Sequence, residues 1–230
     1  MISKTKLQIM EIAGRMEVGY ARDYAILTGQ KEYTATRKRL AELCREGLMI
    51  EKWRNGKKIY YMSAPGLQMI ESHMKKPYNP GGYTTDHSLY VAELAAYLTL
   101  KHQITNDSFV FDLEMKNLGI EGKKHAPDLV VGGICYEVEL NQKEKSRLKS
   151  NVAMNAERFV KQVWIVPDHL KALRVSLKNL STKKCPVIVG SLERICEYLE
   201  RADIHKNNLE RKIEPKIKER TVKSIKEELQ

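Results

Sequence analysis

The chain has 230 residues, enough for one large domain or two small ones, and its 42% hydrophobic and 30% charged residues are those of an ordinary globular protein. No apolar run approaches the ~20 residues that span a bilayer, and the opening MISKTKLQIMEIAGRM has neither the apolar core nor the small-residue cleavage site of a secretory signal. A cytoplasmic location without membrane contact is therefore expected, and Cys44, Cys135, Cys185 and Cys196, scattered through apolar stretches with no CxxC pair, read as reduced thiols. The net charge of +11 is uneven. Residues 1–77 carry 15 Lys/Arg against 8 Asp/Glu, residues 78–150 carry 8 against 10, and residues 151–230 carry 17 against 11. Basic flanks around a mildly acidic middle suit a protein that binds a polyanion and holds carboxylates at its centre.

In chain order, Leu7, Ile9, Met10, Ile12 and Ala13 mark a first amphipathic helix over Lys4–Ala13. A second follows at Tyr20–Leu27, closed by Thr28-Gly29, and a third at Glu32–Glu46, with Leu40 and Leu43 inward and Gly47 at its end. Leu48–Ile50 is strand-like. Asn55-Gly56 supplies a tight hairpin turn, Ile59–Met62 returns as a second strand, and a fourth helix is expected over Leu67–His73. Three helices followed by a basic hairpin is the winged helix-turn-helix order, in which the third helix enters the major groove and the wing follows the backbone. Tyr33, Thr34, Arg37 and Lys38 are the groove-facing candidates, and Arg54, Asn55, Lys57 and Lys58 the phosphate contacts. The bland alternative is a winged helix used for protein contacts, with these residues merely solvated.

Pro and Gly punctuation places a boundary after residue 76 and a linker over residues 77–85. Beyond it, a helix over His87–Leu100 is capped by Thr85 or Asp86, and Ser108–Glu114 alternates like a strand through Phe109, Phe111 and Leu113. Asp128–Gly132 and Ile134–Leu140 are strands joined at Gly132-Gly133. Next come a helix over Gln142–Phe159, a buried strand at Val163–Val166 with Trp164 in the core, a helix over Asp168–Leu180 capped by Asp168, a strand at Pro186–Gly190 and a helix over Ser191–Arg201. The class is α+β, an N-terminal winged helix-turn-helix followed by an α/β mixed-sheet domain at residues 86–202. A charged tail over Asp203–Gln230 carries a thin apolar stripe through Leu209, Ile213, Ile217, Val222 and Ile225, suited to packing on the body, to a partner contact or to partial disorder.

The chemistry gathers at His125-Ala126-Pro127-Asp128 and Tyr136–Leu140. Alternation along a strand puts Glu137 and Glu139 on one face, and Asp128 on the neighbouring strand would bring a third carboxylate to them. Three carboxylates that close call for a cation such as Mg²⁺ or Mn²⁺. The alternative is a solvated strand face, and spacing alone does not choose between them. His125 is either a further ligand or a structural hydrogen-bonding residue.

Taken together, the run Tyr60-Tyr61-Met62-Ser63-x-x-Gly66, the helix opening at His87, the His125-x-Pro127-Asp128 motif and the strand Glu137-Val138-Glu139-Leu140 resemble the replication-relaxation family of plasmids and other mobile elements, over about residues 5–190. The resemblance implies a winged helix joined to a PD-(D/E)XK nuclease-like domain. Asp128 and Glu137 would be metal-binding carboxylates and Glu93 a third. Catalysis, where present, would rest on Asp128, Glu137 and Glu139. One departure stands out: active members of the nuclease fold carry Lys two residues after the acid, and this chain has Glu139 there. Lys143, Lys145, Arg147 or Lys149 would have to reach back to replace it. The implied function is duplex-DNA binding as an accessory or regulatory protein in plasmid replication or DNA mobilisation, alongside a relaxase or replication protein and with scope for a homodimer. A metal-dependent endonuclease aimed by the winged helix is the alternative, and a ligand-sensing repressor a third.

Overall fold

The computed structural model describes residues 2–70, 78–117 and 125–202. The expected end of the fourth helix beyond residue 70, the start of the linker and the charged tail over Asp203–Gln230 lie outside them. Within the described residues the protein is mixed α+β, with two sheets and helices packed on both.

The Ser3 side chain accepts the Lys6 amide and opens α1 (Lys4–Met16), whose Ile9, Met10, Ile12 and Ala13 turn inward. A three-residue strand that the sequence did not announce, β1 (Val18–Tyr20), leads into α2 (Ala21–Leu27) and then α3 (Tyr33–Arg45). The hairpin β2 (Met49–Arg54) and β3 (Lys57–Met62) follows, and β1 pairs antiparallel with the outer side of β3, giving the order β1-β3-β2. α4 (Ala64–Met69) starts three residues before the expected Leu67, because the Ser63 side chain caps it by accepting the Gly66 amide (3.1 Å). Only glycine fits at 66, since a Cβ there would lie 2.1 Å from the Leu48 carbonyl oxygen.

α5 (Gly82–His102) begins five residues before the expected His87, so residues 82–85 of the expected linker are helical. Thr85 and Asp86 are therefore not caps. The Thr85 hydroxyl donates to the Gly81 carbonyl (3.0 Å), and Asp86 lies inside the helix. A 3-10 turn (Asn106–Ser108) precedes β4, which is only Val110–Phe111, and α6 (Asp112–Asn117) replaces the rest of the expected Ser108–Glu114 strand. The chain turns helical because Glu114 reaches back to accept the Phe111 amide (2.9 Å), the reciprocal half of a capping box.

The second sheet has the order β4-β5-β6-β7-β8. β5 (Leu129–Val131) and β6 (Ile134–Val138) form an antiparallel hairpin, its turn made by Gly132 and Gly133, both at positive φ. β7 (Lys161–Ile165) adds parallel to β6 and β8 (Val187–Gly190) parallel to β7, through the helical crossovers α7 (Lys145–Arg158) and α8 (Lys171–Asn179), and α9 (Leu192–Ala202) closes the described chain. α8 starts after Leu170, so Asp168 does not cap it; its carboxylate instead pairs with Arg174. Trp164 is fully buried, as expected.

One apolar core runs through both parts of the protein, with smaller clusters around Trp164 and around Ile59. It joins Ile9, Tyr24, Leu40 and Met62 of the first unit to Leu94 and Leu98 of α5 and to Tyr136, Val138 and Ile165 of the second sheet. Helix α5 is the shared element, packed on α2 and β1 on one side and reaching β6 and α9 on the other. A second tie comes from Arg15 at the end of α1. Its guanidinium pairs with Glu114 (2.6 Å), donates to the Phe109 carbonyl (2.8 Å) and lies over the Phe111 ring.

Candidate functional sites: a basic face and an acidic cleft

Helix α3 buries Thr36, Leu40 and Leu43 and leaves Tyr33, Thr34, Arg37 and Lys38 exposed, all four expected contact residues on one outward face. The neighbouring hairpin tip turns through Asn55, at φ 49°, and Gly56, at φ 74°. Asn55 and Lys57 are exposed there. The Lys58 ammonium pairs with Glu51 (2.6 Å) and lies over the Trp53 ring, 5.8 Å from its centre. Arg54 departs from expectation. Its guanidinium is held by Asp86 on α5 through two hydrogen bonds (3.0 and 2.7 Å), which dock the hairpin onto the rest of the protein. The alternation of β2 explains this, since Arg54 shares a face with Lys52 and Ile50, opposite to Trp53 and Glu51.

The acidic motifs meet α5 one residue after Asp86, at His87. Asp128, just before β5, accepts the Val138 amide (2.7 Å) and meets His87 Nε2 of α5 (3.2 Å). Burial works against a charged His87, but the hydrogen bond to Asp128 and the nearby carboxylates of Asp112 and Glu139 outweigh it and raise its pKa. Glu137 goes elsewhere. Its side chain is 2% exposed and is held by His125 (2.5 Å) and Asn155 of α7 (2.7 Å), with burial as the main cause of a raised pKa. His125 is thus a hydrogen-bonding partner of Glu137, and its own carbonyl accepts from Arg158 (2.8 Å).

The expected convergence of Asp128, Glu137 and Glu139 is only partly realised. Strand β6 ends at Val138, so alternation no longer governs Glu139, even though its amide still donates to the Ile165 carbonyl (2.9 Å). Glu139 turns into a cleft of about 640 Å³ together with Asp128 and His87, while Glu137 faces α7. Within that cleft the Lys143 ammonium pairs with Glu139, and Arg147 contributes to the same wall. Lys145 and Lys149 are exposed on α7. Glu93 is not part of this group, because it lines a separate cleft with Tyr20, Arg22 and Asp23. Among the described residues, no group of three or more His, Cys, Asp or Glu is arranged to hold a metal ion.

Two further acids reach the cleft without any local sequence signal. Asp112 sits at the start of α6, and Glu17 stands between α1 and β1. Glu17 adopts φ 67°, a sparsely populated conformation that costs about 1–3 kcal/mol in a non-glycine residue. The Ser88 hydroxyl of α5 donates to its carboxylate (2.7 Å), and burial raises its pKa against that bond.

No family model, curated protein or solved structure matches this chain. All four cysteines are free thiols, with Cys135 and Cys185 buried and Cys44 and Cys196 half-buried. Among the described residues, no helix is long and apolar enough to cross a membrane.

Proposed function

We propose that this protein binds double-stranded DNA through a winged helix formed by its first three helices and the β2–β3 hairpin. It would act as an accessory or regulatory protein of a mobile element in plasmid replication or DNA mobilisation, next to a relaxase or replication protein and with scope to form a homodimer. The observation that carries the reading is the pairing of an exposed Tyr33-Thr34-Arg37-Lys38 face on α3 with exposed Asn55 and Lys57 on the adjacent hairpin. A helix face of that chemistry fits the ~12 Å major groove, and the hairpin cations reach phosphates. In this reading the second unit is a PD-(D/E)XK nuclease-like scaffold, supported by the succession of α5, the strands β4, β5 and β6, then α7 and β7, with α6 inserted between β4 and β5.

Duplex binding is tested by fluorescence anisotropy across a salt series. Each phosphate neutralised contributes about 0.9 to the slope of log affinity against log salt. Arg37→Ala should flatten that slope by about one such unit. An unchanged slope and affinity would remove α3 from the interface.

Metal-dependent endonuclease activity is a second reading, favoured by Lys143 seated on Glu139 in the same cleft as Asp128. Mg²⁺ is commonly held by one or two carboxylates with water completing its shell, so Asp128 and Glu139 are the residues that would hold it, and it would supply Lewis-acid activation of a phosphoryl oxygen. Lys143 would place a positive charge where the phosphodiester becomes more negative. Purified protein incubated with supercoiled plasmid and Mg²⁺ or Mn²⁺ decides the matter. Nicking that Asp128→Ala and Lys143→Ala both abolish makes the second unit an enzyme, whereas duplex binding without nicking makes it a scaffold.

A further inference from the structure

Trp53 is out of place on a surface that only needs to follow phosphates. It is 67% exposed on β2, whereas the chain's other tryptophan, Trp164, is fully buried. Backbone contact calls for charge and reach, which Lys57 and Lys58 already provide. Around Trp53 the rings and cations alternate. Lys58 lies over Trp53 (5.8 Å), Arg37 over Tyr33 (5.7 Å) and Lys57 over Tyr20 (5.3 Å). All six residues line one cleft of about 1040 Å³ between the hairpin and the helices α5 and α9. That volume suits a ligand of a few rings and not a duplex, whose major groove alone is ~12 Å wide. The α5 and α9 side carries Glu93 and Glu193 beside Lys101, so carboxylate acceptors line that wall together with a cation, while the hairpin side is cationic. A single strand satisfies both walls, with phosphates toward the lysines and the N–H donors of base edges toward the carboxylates. Tyr33 and Arg37 belong both to the α3 face and to the cleft, with Thr34 and Lys38 outside it, so a duplex on that face would bring its end to the cleft.

We infer that this cleft takes an unpaired DNA segment, with Trp53 as the surface on which a base stacks, so that the protein prefers duplex DNA that adjoins a single-stranded stretch. The inference rests on the duplex-binding reading. Aromatic stacking is tolerant of sequence because every base presents a π face. The probe is one duplex, blunt or extended by about eight unpaired thymidines, within the span that single-strand grooves cover. The tailed duplex should bind about tenfold more tightly than the blunt one and quench the emission of Trp53, which Trp53→Phe removes while leaving that of Trp164. Trp53→Ala should bring the tailed duplex down to blunt affinity and leave blunt binding unchanged, and Trp53→Phe should keep most of the preference. Equal affinity for tailed and blunt duplex overturns the inference while duplex binding stands. So does a Trp53→Ala variant that weakens both by the same factor. Failure to bind either DNA overturns the duplex-binding reading itself, and this inference with it.

Discussion

Leu94 tests whether the two parts of the protein are one cooperative unit. It is fully buried in α5, within the core that also holds Tyr24 of the first unit and Tyr136 of the second sheet. Leu94→Ala removes buried methylene groups and leaves a cavity where several elements meet, a change that destabilises by about 2–5 kcal/mol. Total stabilities of about 5–15 kcal/mol make that a large fraction. For a chain of this size each kcal/mol moves the melting temperature by about 2–4 °C, so a fall of about 4–20 °C is expected. The two tryptophans provide one reporter on each side, Trp53 on the hairpin and Trp164 in the second sheet. Melting is followed in Trp164→Phe and Trp53→Phe backgrounds, each with and without Leu94→Ala. Both reporters should show a single transition that shifts down together. A Trp53 transition that stays in place while that of Trp164 moves would mean two separate cores and would refute the reasoning.

Arg54→Ala should act on docking more than on phosphate binding, because its guanidinium is committed to Asp86. Its effect on the salt slope of DNA binding should be smaller than that of Lys57→Ala, and Asp86→Ala should steepen the slope by freeing Arg54; an Arg54→Ala slope change equal to that of Lys57→Ala would contradict this. Asp23 gives a pH dependence. Burial, opposed by the Tyr20 amide and reinforced by Glu93, pushes its pKa up from 3.8 to about 7. The folded protein therefore holds this proton more tightly than the unfolded chain does, and the stabilisation, complete below about pH 4, is lost as pH rises through about 7. At 1.36 kcal/mol for each pH unit that loss amounts to about 2–3 kcal/mol between about pH 5 and about pH 8. Asp23→Asn keeps an acceptor for the Tyr20 amide and removes the titration, so urea denaturation should show a flatter pH profile than the parent. Glu17, Glu93 and Glu137 shift the same way, which makes the difference between variant and parent the decisive quantity.

The elements readable in the sequence were those whose signal is local. Apolar spacing marked α1 and α3, Asn55-Gly56 and Gly132-Gly133 marked the hairpins, and the run around Trp164 marked β7. β1 escaped because three residues show no period, and only the register Val18↔Tyr61 makes them a strand. The alternation of Phe109, Phe111 and Leu113 suggested a strand that stops at Phe111, where Glu114 captures the amide and Arg15, far away in sequence, captures Glu114. At the basic face, composition indicated which side chains were available but not that Arg54 would find Asp86. At the acidic motifs, strand parity joined Glu137 to Glu139, and the end of β6 separated them. Glu17, Asp112 and His87 came into the cleft through packing of α1, α6 and α5, which no spacing along the chain records.

Helix α5 contributes to both halves of the core, and it also lines both clefts, through Glu93 and Ala96 on the basic side and His87 and Ser88 on the acidic side. One shared helix carries the two surfaces, as the beam of a caliper carries its jaws. Along α5 the residues that line the two clefts are set about 1.5 Å apart for each residue between them, so a ligand bound at both would be read for the spacing of its parts. Selectivity can then reside in spacing as well as in chemistry: two weak features at the right distance would be accepted, and two strong ones at the wrong distance refused.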